Sequence, residues 1–328
     1  MGESVRGRGI PWSDAWATAS LGPNGFWRTH EPSAHFRTPV GPELAEALTV
    51  ILAGIDDRLG RPERIEVVDV GAGDGSLLAH IRDHIAGTSL GDRCRLTGVD
   101  LRERALVTDG IDWVAGAAPQ CLSDAFPDGV NGLIIACEWL DEIPCDVVEV
   151  DEGGRPRYVN VDPVTGVESP GDVVDPSSPD ARWLELWWPQ REPGTSAEIG
   201  RPRDEAWAAL CGFLNAGTAL AIDYAAEPRS STGSLRAYRE GRRAEPVPDG
   251  TCNITASVLL ESCAAATHPH GTITDQRTAL RDLGFGLELP VPSNGEAYAR
   301  ELERISHLQT LTDPAGMGRF GWLRYDKA

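Results

Sequence analysis

The stretch Val67-Val68-Asp69-Val70-Gly71-Ala72-Gly73-Asp74-Gly75-Ser76 decides the fold of this chain. It reads as a buried strand that runs straight into a glycine turn and then a helix. Thirty-one residues after Asp69 a second strand, Leu96 to Val99, ends in another acid, Asp100. A Cβ in the turn would block close approach of a ligand to the backbone. A carboxylate at the end of the second strand can accept hydrogen bonds from both hydroxyls of a ribose. Together the two features form a nucleotide-binding device. A turn that merely packs a helix on a sheet explains the glycines, but not two acids at the carboxyl ends of adjacent strands.

The glycine spacing bears on the ligand. A dinucleotide turn is usually G-x-G-x-x-G, which seats a pyrophosphate on the helix N-terminus. Here Gly71, Gly73 and Gly75 give G-x-G-x-G after an acid at the strand end. This resembles the first motif of class I S-adenosylmethionine-dependent methyltransferases. The resemblance implies a ligand without phosphate, with the early acid helping to hold its cationic amino-acid end. Asp69 and Asp74 would be poor company for a pyrophosphate, which leaves a dinucleotide as the alternative. The cofactor expected is S-adenosyl-L-methionine, bound by Asp69, Gly71, Gly73, Gly75 and Asp100.

The chain has 328 residues, 41% of them hydrophobic, enough for one α/β domain with insertions and a full core. Its formal charge of −20 disfavours nucleic acid and anionic membranes as partners. Seven cysteines, at 94, 121, 137, 145, 211, 252 and 263, form no C-x-x-C pair, so a reducing compartment fits best and no metal site is expected. The first twenty residues lack an apolar signal core, and no run reaches the length of a membrane span. A cytoplasmic protein without membrane insertion is expected.

Along the chain, residues 1–40 read as an N-terminal arm. Leu44, Leu48, Leu52 and Ile55 have helical spacing over 42–58. Strands are expected at 65–70, 95–100, 111–114 and 132–137, and a helix begins near Ser76, read as its N-cap. Residues 151–200 read as an insertion over the active-site edge, with strand-like pieces at Tyr158–Val161 and Arg182–Trp188. In it Trp183, Trp187 and Trp188 read as a mini-core rather than a cation lid. A helix at 203–215, a strand at 219–222, helices near 255–265 and 274–283, strands near 284–289 and 318–325, and a helix at 295–309 follow. The fold class is α/β: a doubly wound, Rossmann-like sheet of class I methyltransferase type, with an N-terminal arm and an insertion between strands four and five. The organisation expected is an arm at 1–40, a cofactor-binding half at 41–150, an insertion or lid at 151–200 and a C-terminal half at 201–328.

The fourth strand ends in Cys137-Glu138-Trp139-Leu140-Asp141-Glu142-Ile143-Pro144, at a point facing the ligand crevice. Were the acceptor a guanidinium, Glu138 and Asp141 could hold its fork, localise its charge and help it shed a proton. Alternatively, one acid caps a helix and the other is solvated. Asp223 and Tyr224 end strand five, and Arg236 follows in Gly233–Tyr238; these three are substrate-side candidates. Asn253-Ile254-Thr255-Ala256 reads as a helix opening.

These pieces, in this order, resemble the MidA family of S-adenosylmethionine-dependent methyltransferases over residues 24–322. Gly25-Phe26-Trp27 and Phe36-Arg37-Thr38-Pro39 are similar to its N-terminal pattern, from which Thr38 is carried to the cofactor site. Glu138, Asp141 and Pro144 match its Asn-Glu-x-x-Asp-x-x-Pro motif. Asp223-Tyr224, Gly233–Tyr238 and Asn253–Ala256 resemble its later motifs, as do Thr274 with Gln276 and Asp313-Pro314 through Met317-Gly318. The resemblance implies methyl transfer, and a mitochondrial relative that methylates an arginine of a respiratory complex I subunit implies a protein substrate with an exposed arginine. Cys137, Ala225, Asn253 and Ser257 depart from the usual Asn, Gly, Asp and His. Methylation of a small molecule or other acceptor, or a weakly catalytic assembly factor that keeps the pocket, are the alternatives.

Overall fold

A computed structural model describes residues 9–30, 38–103, 109–227, 229–287 and 295–328. The chain divides into two compact units. The described residues of one lie within Thr38–Leu140, Trp207–Ala225 and Ala264–Ala328, and those of the other within Met1–Arg37, Asp141–Ala206 and Ala226–Cys263.

The first unit is built on a seven-stranded sheet. Its strands in chain order are β1 (Ile65–Val70), β2 (Cys94–Asp100), β3 (Ile111–Ala115), β4 (Val130–Cys137), β5 (Leu214–Tyr224), β6 (Thr272–Asp275) and β7 (Phe320–Lys327). They lie in the order β6-β7-β5-β4-β1-β2-β3. β1 to β5 are parallel, and β7 runs antiparallel to both β5 and β6. The chain winds outward from β1 through β2 to β3, then returns to β4 and winds the other way. The reversal between β1 and β4 opens a crevice at their carboxyl ends, where such sheets bind ligands.

Burial on both faces explains the unbroken apolar runs of these strands. One face presents Ile65, Val67, Leu96, Leu133, Ile135, Leu220 and Ile222 to a core closed by helices Pro42–Arg58, Ser76–Ile85, Gln276–Asp282 and Gly295–Leu311. The opposite face, with Val68, Val70, Val99, Ile134, Ala136, Ala219 and Ala221, is equally buried. The helix expected over 42–58 is observed as Pro42–Arg58, with Pro42 in the first turn, where a missing N–H costs nothing.

The structure departs from several local expectations. Ser76 is the first residue of its helix rather than its cap; Gly75 is the cap, at φ 81°, and Asp74 Oδ1 accepts the Ser76 N–H at 2.9 Å. The helix expected near 255–265 starts at Leu260, because Asn253–Thr255 is a strand. The sheet edge expected at 284–289 is supplied by β6 instead; residues 284–287 carry no strand, and 288–289 lie outside the described residues.

The second unit is antiparallel. Val147–Val150 pairs with Ser196–Glu198 and with Pro156–Val161, which also pairs with Ile10–Pro11 and Glu168–Val173. Of Arg182–Trp188, read as a strand, residues 182–187 belong to helix Pro179–Trp187 and Trp188 caps its end; the helix is started by Pro179 and by Ser178 Oγ accepting the Ala181 N–H at 3.0 Å. Trp183 and Trp188 pack with Val148, Val150, Val174, Leu184 and Ile199, the mini-core expected of them. Their indole N–H groups donate to Asp204 Oδ2 and to the Ser230 carbonyl, both at 2.7 Å. A three-stranded sheet of Arg236–Arg239, Arg242–Ala244 and Asn253–Thr255 completes the unit. Among the described residues no helix is long and apolar enough to cross a membrane.

Candidate active site

The glycine turn begins as β1 ends. The Gly71 and Ala72 N–H groups donate to the Val99 carbonyl of β2 at 2.9 and 3.1 Å, which folds the turn toward the neighbouring strand. Gly71, Gly73 and Gly75 all have positive φ, at 75°, 60° and 81°, a conformation that a Cβ penalises. Their surroundings differ. A Cβ on Gly71 would stand 3.1 Å from Trp139 Cδ1, so this glycine admits the indole. Among the described residues other than its chain neighbours, a Cβ on Gly73 would meet only Arg102 Nη2 within 4 Å, at 3.9 Å, an ordinary van der Waals contact.

Asp100 joins the turn from the end of β2. Its Oδ2 accepts the Gly73 N–H at 2.9 Å, and its Oδ1 accepts both the N–H and Nε–H of Arg102, at 3.0 and 3.2 Å. Asp69 lies beneath, 3% exposed. Burial, and then the charges of Asp100 and Asp74, raise its pKa to about 8. Among the described residues none hydrogen-bonds its carboxyl. Asp69, Gly71, Gly73, Gly75 and Asp100 are therefore brought together at one edge. Thr38, half-buried, accepts the Val40 N–H at 3.2 Å ahead of helix Pro42–Arg58. Phe36 and Arg37 of the same motif lie outside the described residues.

Glu138 sits at the carboxyl end of β4, on the other side of the switch point. It has φ 50°, an uncommon conformation for a side chain of this kind. Its N–H donates to the Ile222 carbonyl of β5 at 2.8 Å. Asp223, fully buried, supports the same turn: its Oδ2 accepts the Leu140 N–H at 2.9 Å and its Oδ1 the Tyr224 N–H at 2.8 Å. The Tyr224 ring packs on Phe320, with centroids 4.2 Å apart.

Asp141 and Arg236 belong to the antiparallel unit. Asp141 is 3% exposed, and its Oδ2 accepts the Thr255 hydroxyl at 2.7 Å. Burial raises its pKa, partly offset by that hydrogen bond and by the Arg203 and Arg236 charges. Arg236 donates to Ser257 Oγ at 3.0 Å. Glu142 accepts from Trp27 Nε1 at 3.1 Å and from Asn253 Nδ2 at 2.9 Å, so the Asn that replaces the usual Asp supplies a donor. Arg203, 1% exposed, donates to the carbonyls of Ile143, Ser257 and Asp141 at 3.3, 2.8 and 3.0 Å. It pins both motif loops, yet in the sequence it is one arginine at a helix start. Trp139 and Arg102 had no stronger signal in the sequence than lying one residue after Glu138 and two after Asp100.

A parallel sheet with its switch point at β1 and β4, a glycine turn and an acid ending β2 define a class I S-adenosylmethionine-dependent methyltransferase. The chain belongs to the family described as "Putative S-adenosyl-L-methionine-dependent methyltransferase", whose model matches residues 47–275. Two crystal structures from Burkholderia thailandensis are similar to it. One is a COG1565 superfamily member bound to S-adenosyl-homocysteine, 21% identical, with a TM-score of 0.77, covering 97% of this chain and 88% of that one. The other is a native COG1565 superfamily structure, 21% identical, with a TM-score of 0.74 and coverage of 97% and 87%. At this identity the likeness speaks for the fold. No curated protein matches the chain.

The cofactor is S-adenosylmethionine, and the residues present fit it. Asp69, buried and without a hydrogen-bonding partner among the described residues, suits a cationic group, as Asp74 does. The space over Gly73 suits a ligand lying on the backbone, and Asp100 suits its ribose. Bound there, S-adenosylmethionine supplies an electrophilic methyl group, which leaves the chain the tasks of binding and orientation.

Proposed function

We propose that the protein methylates the guanidinium of an arginine side chain on a protein substrate, with Glu138 as the carboxylate that orients the acceptor and helps it lose a proton. The observation that carries this reading is the placement of Glu138. It is an acid held at φ 50° at the carboxyl end of a central strand. Such a conformation costs roughly 1–3 kcal/mol and is characteristically kept at functional sites. A guanidinium keeps its proton to a pKa above about 12, so a carboxylate that localises its charge has a specific use. In this reading Asp141 is a positioning acid, because the Thr255 hydroxyl and two guanidinium groups already occupy it or offset its charge. The seven cysteines are all unpaired, which supports a reducing, cytoplasmic setting.

The arginines facing Asp141 favour a second reading, a small-molecule or other acceptor, since they weaken the carboxylate pair that a guanidinium fork would use. One experiment separates the two. The protein is incubated with methyl-labelled S-adenosylmethionine and a lysate, and label is measured in the protein and small-molecule fractions. The arginine reading expects methylarginine in protein hydrolysates. It expects Glu138→Gln to lose roughly 100-fold or more in transfer while binding cofactor as before. Label confined to small molecules, or equal labelling by the variant, would contradict it.

A further inference from the structure

Arg102 follows Asp100 by two residues and has no part in the chemistry above. It is nonetheless firmly held. Its N–H and Nε–H both donate to Asp100 Oδ1, and its carbonyl accepts the Trp113 indole N–H at 3.0 Å. Trp113 is itself fixed under Gly98, where an added Cβ would lie 2.5 Å from Trp113 Cζ3. The Arg102 and Asp100 side chains are only 10% and 12% exposed, so solvent screens their charges weakly. Among the described residues other than Gly73 and its chain neighbours, Arg102 Nη2 is the single heavy atom within 4 Å of a Cβ built on Gly73. The guanidinium thus borders the space over the glycine turn.

Two ligands must occupy this site in each cycle. S-adenosylmethionine and S-adenosylhomocysteine share the adenosine and amino-acid groups. They differ by one methyl group and by the positive charge of the sulfonium. A protein group that only hydrogen-bonds the shared parts changes both affinities by one factor. A fixed, poorly screened charge acts on the difference and changes their ratio. With Arg102 in place the Asp100 charge is compensated, and the attraction for a cation falls to Asp74 and to ionised Asp69. Without it, Asp100 would add its full charge in favour of the sulfonium.

We propose that Arg102 is a specificity-determining residue of the cofactor site: its guanidinium offsets Asp100 and so narrows the preference for cationic S-adenosylmethionine over uncharged-sulfur S-adenosylhomocysteine. The consequence is regulatory. The enzyme is held sensitive to its own product, so its turnover falls as product accumulates relative to cofactor. The proposal rests on Asp100 standing at the ribose.

The test is calorimetric titration of both ligands, at low salt, into wild type, Arg102→Gln, Arg102→Lys and Asp100→Asn. The expected result is that Arg102→Gln raises the ratio of the homocysteine ligand's Kd to the methionine ligand's by roughly three- to tenfold. Arg102→Lys, which keeps the charge, should stay within about twofold of wild type. Asp100→Asn should weaken both ligands. If it does so while Arg102→Gln leaves the ratio unchanged, the charge role of Arg102 is overturned and the site stands. Loss of both ligands in Arg102→Gln would reduce Arg102 to a scaffold for Asp100 and equally overturn it. If Asp100→Asn alters neither ligand, the placement of the cofactor fails and the proposal with it.

Discussion

Asp69 shows how one residue ties fold to ligand. Its carboxyl is buried at the end of β1, and its pKa is raised to about 8 by burial and by the charges of Asp100 and Asp74. The neutral form is the one that the ligand-free fold prefers. Its contribution to stability is complete below an unfolded pKa of about 3.9 and is lost as pH rises through about 8. Stability between pH 6 and 8 should therefore fall, through this group, by up to about 1.4 kcal/mol per pH unit relative to Asp69→Asn, which cannot titrate. Urea denaturation of both proteins across that range checks this, and parallel curves would contradict it. Asp69, Asp74, Asp100 and Glu138 stood out as candidates in the sequence because each lies at a strand end or follows a glycine. Arg102 and Arg203 did not. Their importance comes from burial and from main-chain partners at the far side of a turn, and neither leaves a mark in local sequence.

At the scale of the element, the strand–turn–helix around Gly71, Gly73 and Gly75 carries the site, and its glycines do different work. Gly71 makes room for Trp139, whereas Gly73, at φ 60°, meets only Arg102 Nη2 among the described residues beyond its chain neighbours. Gly73→Val should fill the space a ligand would take and strain the turn, abolishing cofactor binding while circular dichroism remains largely native. Normal binding by that variant would mean that this glycine serves the turn alone. Helix Pro42–Arg58 and the parallel strands were readable because apolar periodicity and burial on both faces agree. Arg182–Trp188 misled because three tryptophans favour a strand by propensity, while Ser178 and Pro179 impose a helix start that tertiary packing then rewards. Asn253–Thr255 misled in the opposite sense. Its polar opening looks like a helix cap, but Asn253, Ile254 and Thr255 pair with Tyr238, Ala237 and Arg236 in a sheet.

At the scale of the whole molecule, the chain builds its antiparallel unit from three separated segments and its parallel-sheet unit from three others. Pairings such as Ile10 with Val161 create this arrangement, and such distant contacts leave little local pattern to read. Motif order, by contrast, survives across the chain, which is why the family was recognisable. The central claim is that the crevice at the carboxyl end of β1 holds S-adenosylmethionine on the glycine turn and Asp100. The most direct measurement is calorimetric titration of S-adenosylmethionine into wild type and Asp100→Ala, with NAD as a comparison ligand. The predicted result is binding to wild type and at least a tenfold loss in the variant, the scale of a charge-assisted hydrogen bond worth roughly 1.5–3 kcal/mol. Equal affinity in the two proteins, or a preference for NAD, would contradict it.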